Sequence, residues 1–271
     1  MKAVTMQSID VNGRRISVLA VSGPTDDSPG LLWLPGYRSD MASTKATALA
    51  TFATGRYAMV RFDYSGHATS GGRFEDGTIG RWLDETEAVF RHVALSTTSG
   101  PLIVIGSSMG GYLALLLLRR LLETEPTTAA RIGGLVLIAP AWDMTEALMW
   151  AQFSPDQKAA LIRDGQWLRP SAYGEPYPIT RTLIEDGRAH LLADRPFDPG
   201  CPVHILQGLD DPDVPAAHTR GLLTLLTGGP VTLEEIPNGD HRLSRPGDIA
   251  RLLEVVETMP ARLQSTGRVG N

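Results

Sequence analysis

The apolar residues of this chain occur in short runs separated by longer amphipathic stretches. Residues 31–34, 102–105 and 134–139 contain no charged side chain, which is typical of strands buried on both faces of a sheet. Between such runs, as in residues 79–95, apolar positions recur at helical spacing and predict helices with one buried face. The alternation of these strands and helices predicts an α/β fold with a mostly parallel, twisted sheet and helices on both faces.

Residues 4–21 are predicted to form an antiparallel hairpin at one edge of this sheet. Asn12-Gly13 in its middle is a favoured two-residue turn, because both positions tolerate positive φ. The further predicted strands are residues 31–34, 57–62, 102–105, 134–139, 203–206 and 231–236. The predicted helices are residues 44–54, 79–95, 112–118 and 216–226, and a last one after Pro246.

The regular alternation stops at residues 141–201, which are rich in aromatic residues and proline. This segment shows no strong strand pattern, and short helices are predicted near residues 144–153, 155–164 and 179–191. Its aromatic residues are Trp142, Trp150, Phe153, Trp167, Tyr173 and Tyr177. Sites in parallel sheets lie beyond the carboxyl ends of the strands, and the segment follows such an end. We therefore expect residues 1–271 to form one domain, with 141–201 as a helical lid over the site.

The overall composition is that of an ordinary globular protein. The chain has 271 residues, 42% of them hydrophobic, and a formal net charge of −5 without any basic block, which argues against nucleic acid as a partner. The single cysteine, Cys201, cannot form an internal disulfide, so a reducing compartment is expected. The first residues lack the apolar core of a signal peptide, and no apolar run is long enough to span a bilayer. These features predict a cytoplasmic protein without stable membrane insertion.

Residues 106–110 carry the main candidate for chemistry. They read Gly-Ser-Ser-Met-Gly, a match to G-x-S-x-G with Ser108 in the middle, between a predicted strand and a predicted helix. In that setting the motif predicts a sharp, strained turn that exposes the Ser108 oxygen beside unpaired N–H groups at the helix start. The alternative is an ordinary loop, since glycine and serine are common in turns.

A serine nucleophile needs a base, and the base needs a carboxylate to orient it. Asp210, Asp211 and Asp213 follow the predicted strand 203–206, and spacing alone does not separate Asp210 from Asp211. Turn formation and helix capping are the alternative roles for these aspartates. His241 follows the next strand on a polar loop, which makes it the candidate base.

Acyl transfer also requires donors for the oxyanion of the tetrahedral intermediate. The backbone N–H of Met109, directly after the candidate nucleophile, is one donor, and that of Tyr37, in Pro35-Gly36-Tyr37, is the other. The alternative for Pro35-Gly36 is an ordinary turn. His67 lies on a strand-end loop, where a structural role is favoured over a position in the site.

The sequence contains no pattern that calls for a cofactor or a metal. The other histidines show no ligand spacing with cysteines or carboxylates, and Cys201 shows no sign of activation. A phosphate-binding glycine loop and a dinucleotide fingerprint are both missing. We therefore expect neither a cofactor nor a metal site.

Four stretches together resemble a known family. They are Leu34-Pro35-Gly36-Tyr37 with Lys45-Ala46, residues 61–66 (Arg-Phe-Asp-Tyr-Ser-Gly), residues 106–111 and residues 239–242 (Gly-Asp-His-Arg). The chain resembles the mitochondrial depalmitoylase and acyl-glucuronide esterase group of α/β-hydrolase-domain serine hydrolases, and its bacterial relatives. The resemblance implies the α/β-hydrolase fold, with its nucleophile, acid and histidine in that order along the chain.

The resemblance also implies roles for single residues. Ser108 would be the nucleophile, Asp211 the orienting acid and His241 the base, with the N–H groups of Met109 and Tyr37 as oxyanion donors. The expected reaction is hydrolysis of a carboxylic ester or thioester, on a small molecule or an acylated protein, through an acyl-enzyme.

The same residues allow other interpretations. Trp142 and Trp150 are expected either to line the substrate pocket or to hold the 141–201 segment against the body. Alternative reactions on this fold include C–C bond hydrolysis; haloalkane dehalogenation normally needs an aspartate at the position of Ser108. A non-catalytic binding protein on a hydrolase shell is the alternative outside catalysis, and the complete set of Ser108, Asp211 and His241 argues against it.

Overall fold

An eight-stranded sheet organises the chain, as seen in a computed structural model that describes residues 5–171 and 174–266. The strands are β1 Thr5–Val11, β2 Arg14–Val21, β3 Gly30–Leu34, β4 Ala58–Phe62, β5 Leu102–Ser107, β6 Ile132–Ile138, β7 Gln166–Ser171, β8 Gly174–Thr180, β9 Val203–Gly208 and β10 Val231–Ile236. The sheet has the order β1-β2-β4-β3-β5-β6-β9-β10, and β7 pairs with β8 in a separate two-stranded sheet. In the eight-stranded sheet, the neighbours in the stretch β4-β3-β5-β6-β9-β10 are all parallel.

The predicted hairpin lies at one edge of this sheet. Strands β1 and β2 pair antiparallel, and β2 joins the parallel part through an antiparallel contact with β4. The turn between them has φ of 52° at Asn12 and 77° at Gly13, the two positive values that a tight hairpin turn of this kind requires. The mostly parallel sheet with an antiparallel edge, expected of an α/β-hydrolase, is confirmed.

Helices cover both faces of the sheet. Their bounds are α1 Thr44–Ala53, α2 Ile79–Val89, α3 Leu95–Thr97, α4 Met109–Thr124, α5 Pro126–Ala129, α6 Pro155–Asp164, α7 Arg181–Gly187, α8 Ala216–Leu222 and α9 Pro246–Thr266. One apolar core contains α1, α9 and residues of one sheet face, and the other contains α2 and α4. Because α4 is buried along most of its length, it acts as a central support for the residue that precedes it, Ser108.

The segment between β6 and β9 differs in part from its prediction. Helical turns occur at Met144–Met149, Trp150–Gln152, α6, α7 and Arg188–His190, near the predicted positions. The β7–β8 hairpin was not predicted, and the helical lid expected from the sequence is therefore a mixed segment. Its strands have no central position in a sheet, so the prolines at 170, 176 and 178 are tolerated and no alternating apolar pattern is needed. Tyr173 lies outside the described residues.

The fold brings the candidate residues to one end of the sheet. Ser108 follows β5, Asp211 follows β9, His241 follows β10, and Tyr37 follows β3. Since these strands are parallel, their carboxyl ends share one edge, as expected for a site in this class of sheet. Within the described residues, no helix is sufficiently long and apolar to cross a bilayer.

Candidate active site

Ser108 lies in a strained turn between β5 and α4. Its φ is 54° and its ψ is −117°, a backbone conformation that costs free energy in a residue other than glycine. The Ser108 N–H donates to the Ile138 carbonyl at 2.8 Å, and the Ser108 carbonyl accepts from Ala141 N–H at 3.1 Å. The neighbouring strand β6 and its end therefore hold the turn in place.

Two glycines make this turn sterically possible. A Cβ at Gly106 would lie 2.3 Å from the Gly110 carbonyl oxygen, and one at Gly110 would lie 2.1 Å from the Leu34 carbonyl oxygen. Both distances are far below van der Waals contact, and both partners are backbone atoms. The glycines of the G-x-S-x-G motif thus allow β3, β5 and α4 to approach closely behind Ser108.

The side chains of Ser108, His241 and Asp211 form one hydrogen-bonded chain. His241 Nε2 lies 3.0 Å from Ser108 Oγ, and His241 Nδ1 lies 2.8 Å from Asp211 Oδ2. A carboxylate can only accept, so Nδ1 carries the proton and Nε2 presents its lone pair to the serine hydroxyl. This is the arrangement of a nucleophile, a general base and an orienting acid.

The carboxylate of Asp211 is buried and held from both sides. Its Oδ1 accepts from the N–H groups of Asp213 and Val214, each at 2.9 Å, while Oδ2 faces His241. The side chain has no exposed surface. Asp210 is exposed, so the structure separates two aspartates that spacing could not.

The same carboxylate belongs to a group that could offer metal ligands. Atoms of Asp211, Asp213 and His241 lie within 4.8 Å of one another. In this group Nδ1 of His241 donates to Asp211, and Oδ1 of Asp211 accepts two N–H groups. Those contacts already use Nδ1 of His241 and both carboxylate oxygens of Asp211, so the geometry favours the hydrogen-bonded triad.

The loop that carries His241 is tied to α1. Lys45 Nζ donates to the carbonyl of Arg242, the residue after His241, and lies 3.4 Å from Ser244 Oγ. Burial, assisted by the nearby Arg242 guanidinium, lowers the pKa of Lys45 to about 8. Lys45 belongs to one of the stretches that carry the family resemblance, but the pattern alone did not indicate this contact.

The two predicted oxyanion donors belong to two backbone segments that adjoin Ser108. Met109 is the first residue of α4, where a backbone N–H has no partner within the helix. In the loop after β3, a Cβ at Gly36 would lie 3.2 Å from the Ser107 carbonyl oxygen and 3.4 Å from Ser108 Cβ. The backbone that leads into Tyr37 therefore passes directly beside the serine.

Residues 36–41, which we call the oxyanion loop, are held by the loop after β4. Asp63 is fully buried, and its carboxylate accepts from Met41 N–H at 2.8 Å and from the Thr69 hydroxyl at 2.7 Å. Arg61 donates to the Met41 carbonyl at 2.9 Å. Two residues of the Arg-Phe-Asp-Tyr-Ser-Gly stretch thus fix the end of the oxyanion loop.

A cavity of about 400 Å³ opens beside the oxyanion loop. Its walls come from that loop, from the loop after β4, and from β8 of the 141–201 segment; among the lining residues are Arg38, His67, Phe74 and Tyr177. The Arg38 guanidinium lies over the Tyr177 ring, 4.1 Å from its centroid. The hairpin that the sequence did not predict therefore contributes a wall next to the candidate site.

Trp142 attaches the 141–201 segment to α8, whereas the ring contacts of Trp150 lie within the segment. The Trp142 ring stacks on His218 of α8 at 4.4 Å, and its Nε1 donates to the His218 carbonyl at 2.9 Å. Trp150 lies under the cations of Lys158 and Arg188, at 5.2 and 5.0 Å. The Trp142 contacts match the structural alternative; the expectation that either tryptophan lines the pocket stays a prediction.

We expect Trp142→Phe to lower the stability of the protein without changing its chain-length preference. The variant keeps an aromatic ring on His218 but loses the Nε1 hydrogen bond, at a cost of about 1 kcal/mol. Thermal unfolding and hydrolysis of esters of increasing acyl length measure the two effects, with Trp150→Phe as the matched control. A changed length preference in Trp142→Phe alone would place Trp142 in the acyl pocket instead.

Comparison with known proteins identifies the family. A family model described as serine aminopeptidase, S33 (Hydrolase_4), matches residues 31–181, which is more than half of the chain. The chain belongs to this α/β-hydrolase family. It is accordingly a serine hydrolase by family, and the matched residues include the oxyanion loop and Ser108.

Individual relatives show which group within this family the chain is most similar to among those compared. The mitochondrial palmitoyl-protein thioesterase ABHD10 of Bos taurus is 30% identical over 241 residues, covering 88% of this chain and 75% of the relative. The solved structure of mouse α/β-hydrolase domain-containing protein 10 superposes with a TM-score of 0.82 at 26% identity, covering 96% and 99% of the two chains. The resemblance to the depalmitoylase group and its fold is confirmed.

The structure of a bacterial protein is more similar to this chain than the mouse structure is. A crystal structure of a protein from Agrobacterium vitis S4 superposes with a TM-score of 0.90 at 41% identity. It covers 95% of this chain and 99% of the other. The whole fold, including the 141–201 segment, therefore recurs in a bacterial relative.

Proposed function

We propose that this protein hydrolyses carboxylic esters or thioesters through an acyl-enzyme formed on Ser108. The observation that carries the proposal is the hydrogen-bonded chain from Ser108 Oγ to His241 at 3.0 Å and from His241 to Asp211 at 2.8 Å. The proposal is supported by the strained turn at Ser108 and by the names of the ABHD10 relatives, which are palmitoyl-protein thioesterases.

In the first step His241 Nε2 removes the Ser108 proton as Oγ attacks the acyl carbonyl carbon. The imidazolium that forms is stabilised by the buried Asp211 carboxylate, which accepts from Nδ1 throughout. The carbonyl oxygen becomes an oxyanion beside the N–H groups of Met109 and Tyr37. A preorganised donor of this kind is worth about 10²–10³ in kcat.

Collapse of the tetrahedral intermediate breaks the bond to the leaving group. His241 returns its proton to the departing alkoxide or thiolate, which leaves as an alcohol or a thiol. A water molecule then loses a proton to His241 and attacks the acyl-serine. The second intermediate releases the carboxylic acid and restores the Ser108 hydroxyl, so the protein ends each cycle unchanged.

The substrate we propose carries an acyl group on a small molecule or on an acylated protein. The relatives named as palmitoyl-protein thioesterases support an acylated substrate. A thioester substrate fits the same catalytic groups, because a thiolate is a better leaving group than an alkoxide and needs less protonation. The protein is proposed to work in the cytoplasm, whereas the ABHD10 relatives are named mitochondrial.

The test is hydrolysis of matched p-nitrophenyl esters and acyl thioesters with short, medium and long acyl chains. We expect an initial burst of phenol or thiol release, equal to the enzyme concentration, followed by slower turnover as the acyl-enzyme is hydrolysed. The burst should be lost in Ser108→Ala. An amide of an amino acid serves as the comparison substrate for peptidase activity.

Three outcomes would contradict the proposal. Turnover of the amide without turnover of any ester or thioester would assign a peptidase instead. A burst that persists unchanged in Ser108→Ala would remove Ser108 from the chemistry. Failure of every substrate, with a folded protein, would support a binding role for the hydrolase shell.

A further inference from the structure

His67 makes two hydrogen bonds that connect it to the oxyanion loop. Its side chain is almost fully buried, with 4% of its surface exposed. Nε2 lies 3.2 Å from the Arg38 N–H nitrogen, and Nδ1 lies 3.1 Å from the Ser65 carbonyl oxygen. The ring also packs edge-on against Phe74 and Trp82, at 5.3 and 5.4 Å between centroids.

These partners determine the protonation state of the ring. The Ser65 carbonyl can only accept, so Nδ1 must carry a proton, and the Arg38 N–H can only donate, so Nε2 must be unprotonated. His67 is therefore a neutral imidazole with a defined tautomer.

The Arg38 N–H belongs to the peptide unit directly after Tyr37. On the other side of Tyr37, Gly36 lies close to Ser107 and Ser108. Its carbonyl, which shares a peptide unit with the Tyr37 N–H, accepts from Ser39 N–H at 3.0 Å. With both flanking peptide units held, the Tyr37 N–H has little freedom to turn away from the serine. The Tyr37 ring adds to this by packing on Phe74 and Trp82, the same rings that enclose His67.

We propose that His67 is a positioning residue for the oxyanion hole, holding the Tyr37 N–H toward Ser108 through its hydrogen bond from Arg38. This proposal rests on the acyl-transfer function proposed above. Its effect is expected in the transition state, where the carbonyl oxygen moves and gains charge. Misplacing one donor by about 1 Å can cost on the order of 10² in rate.

The hydrogen bond from Arg38 N–H to His67 Nε2 also makes the position of the oxyanion loop depend on pH. Protonation of Nε2 would place an N–H against the Arg38 N–H and abolish the acceptor. Burial lowers the pKa of His67 below its ordinary value, the Ser65 carbonyl and the Asp63 and Asp40 carboxylates oppose this, and the Arg38 guanidinium assists it. The neutral form is therefore present at neutral and alkaline pH, and it is lost as the pH falls below the usual histidine range.

The decisive variants are His67→Leu and His67→Gln, with His92→Gln, an exposed histidine between α2 and α3, as the control. Leucine cannot accept a hydrogen bond, whereas the side-chain oxygen of glutamine reaches the position of Nε2. At pH 8 we expect kcat to fall about 10–100-fold in His67→Leu with KM within about 2-fold of wild type. His67→Gln should recover most of the loss.

The pH profile of kcat provides the second readout. In wild type, protonation of the catalytic base stops turnover, and protonation of His67 adds the loss expected for His67→Leu. Log kcat should therefore fall with a slope above one over the pH range in which His67 gains its proton. In His67→Gln one of these protonations is removed, and the slope should approach one. A residue that only supported the fold would not change this slope.

Specific results would overturn the proposal. If His67→Leu keeps kcat within about 3-fold of wild type at pH 8, the oxyanion loop does not need the hydrogen bond. The same follows if glutamine is as inactive as leucine while both variants melt like wild type. If the leucine variant does not fold, an acid limb in His67→Gln identical to wild type decides against the proposal. Wild-type turnover that is lost in Ser108→Ala, measured first, separates these results from failure of the proposed function.

Discussion

Replacing Ser108 by alanine is expected to lower kcat for a reactive ester by about 10⁶, and replacing His241 by alanine should lower it to a similar extent. The physical reason is that Oγ is the attacking atom and Nε2, 3.0 Å away, is the group that removes its proton. Neither group can act without the other. The measurement is steady-state hydrolysis with enough enzyme to detect the residual rate above buffer.

The double variant distinguishes a catalytic unit from two independent contributions. If Ser108 and His241 act together, Ser108→Ala combined with His241→Ala should lose no more activity than either alone. Asp211→Asn should keep the folded structure but lower kcat by about 10⁴, because an amide can hold the histidine in the wrong tautomer. Asp210→Asn is the matched control, and we expect its kcat to stay near wild type. A larger effect at Asp210 than at Asp211 would contradict the assignment.

Gly110→Ala is expected to destabilise the protein by about 3 kcal/mol or more. The new Cβ would lie 2.1 Å from the Leu34 carbonyl oxygen and 2.7 Å from that of Pro35, both backbone atoms just before the oxyanion loop. The backbone must therefore shift, and Ser108 and Tyr37 lie on the two segments that would separate. Chemical denaturation measures the loss of stability, and ester hydrolysis measures the loss of activity.

Gly111→Ala is the control for this prediction, since it lies on the same helix. Its new Cβ would lie 3.1 Å from Pro140 Cβ and 3.3 Å from the Gly106 carbonyl oxygen, a tight contact that small shifts relieve. We expect a smaller loss of stability, partly offset by the better helix propensity of alanine. Equal stability of Gly110→Ala and wild type would contradict the close approach of β3 and α4.

The parts of the fold with strong local patterns were predictable from the sequence. The central strands are wholly apolar because both of their faces are covered, and the hairpin turn at Asn12-Gly13 requires residues that accept positive φ. The strand, turn and helix around Ser108 are likewise encoded by local residues. These features depend on neighbours in the chain, so the sequence pattern alone carries them.

The remaining features depend on contacts between distant segments. The β7–β8 hairpin has little buried surface and several prolines, so it lacks the apolar alternation by which strands are recognised. The contact of Asp211 rather than Asp210 with His241 is set by the path of the loop after β9. His67 accepts a hydrogen bond from the N–H of Arg38, which lies 29 residues earlier in the chain. No local sequence pattern distinguishes such a histidine from an ordinary loop histidine.

The measurement that most directly tests the central claim is the site of labelling by a fluorophosphonate, which reacts only with an activated serine. We expect one adduct per chain, located on Ser108 by peptide mass spectrometry and absent from His241→Ala. A folded protein that forms no adduct, or one that is modified at the neighbouring Ser107, would contradict the account.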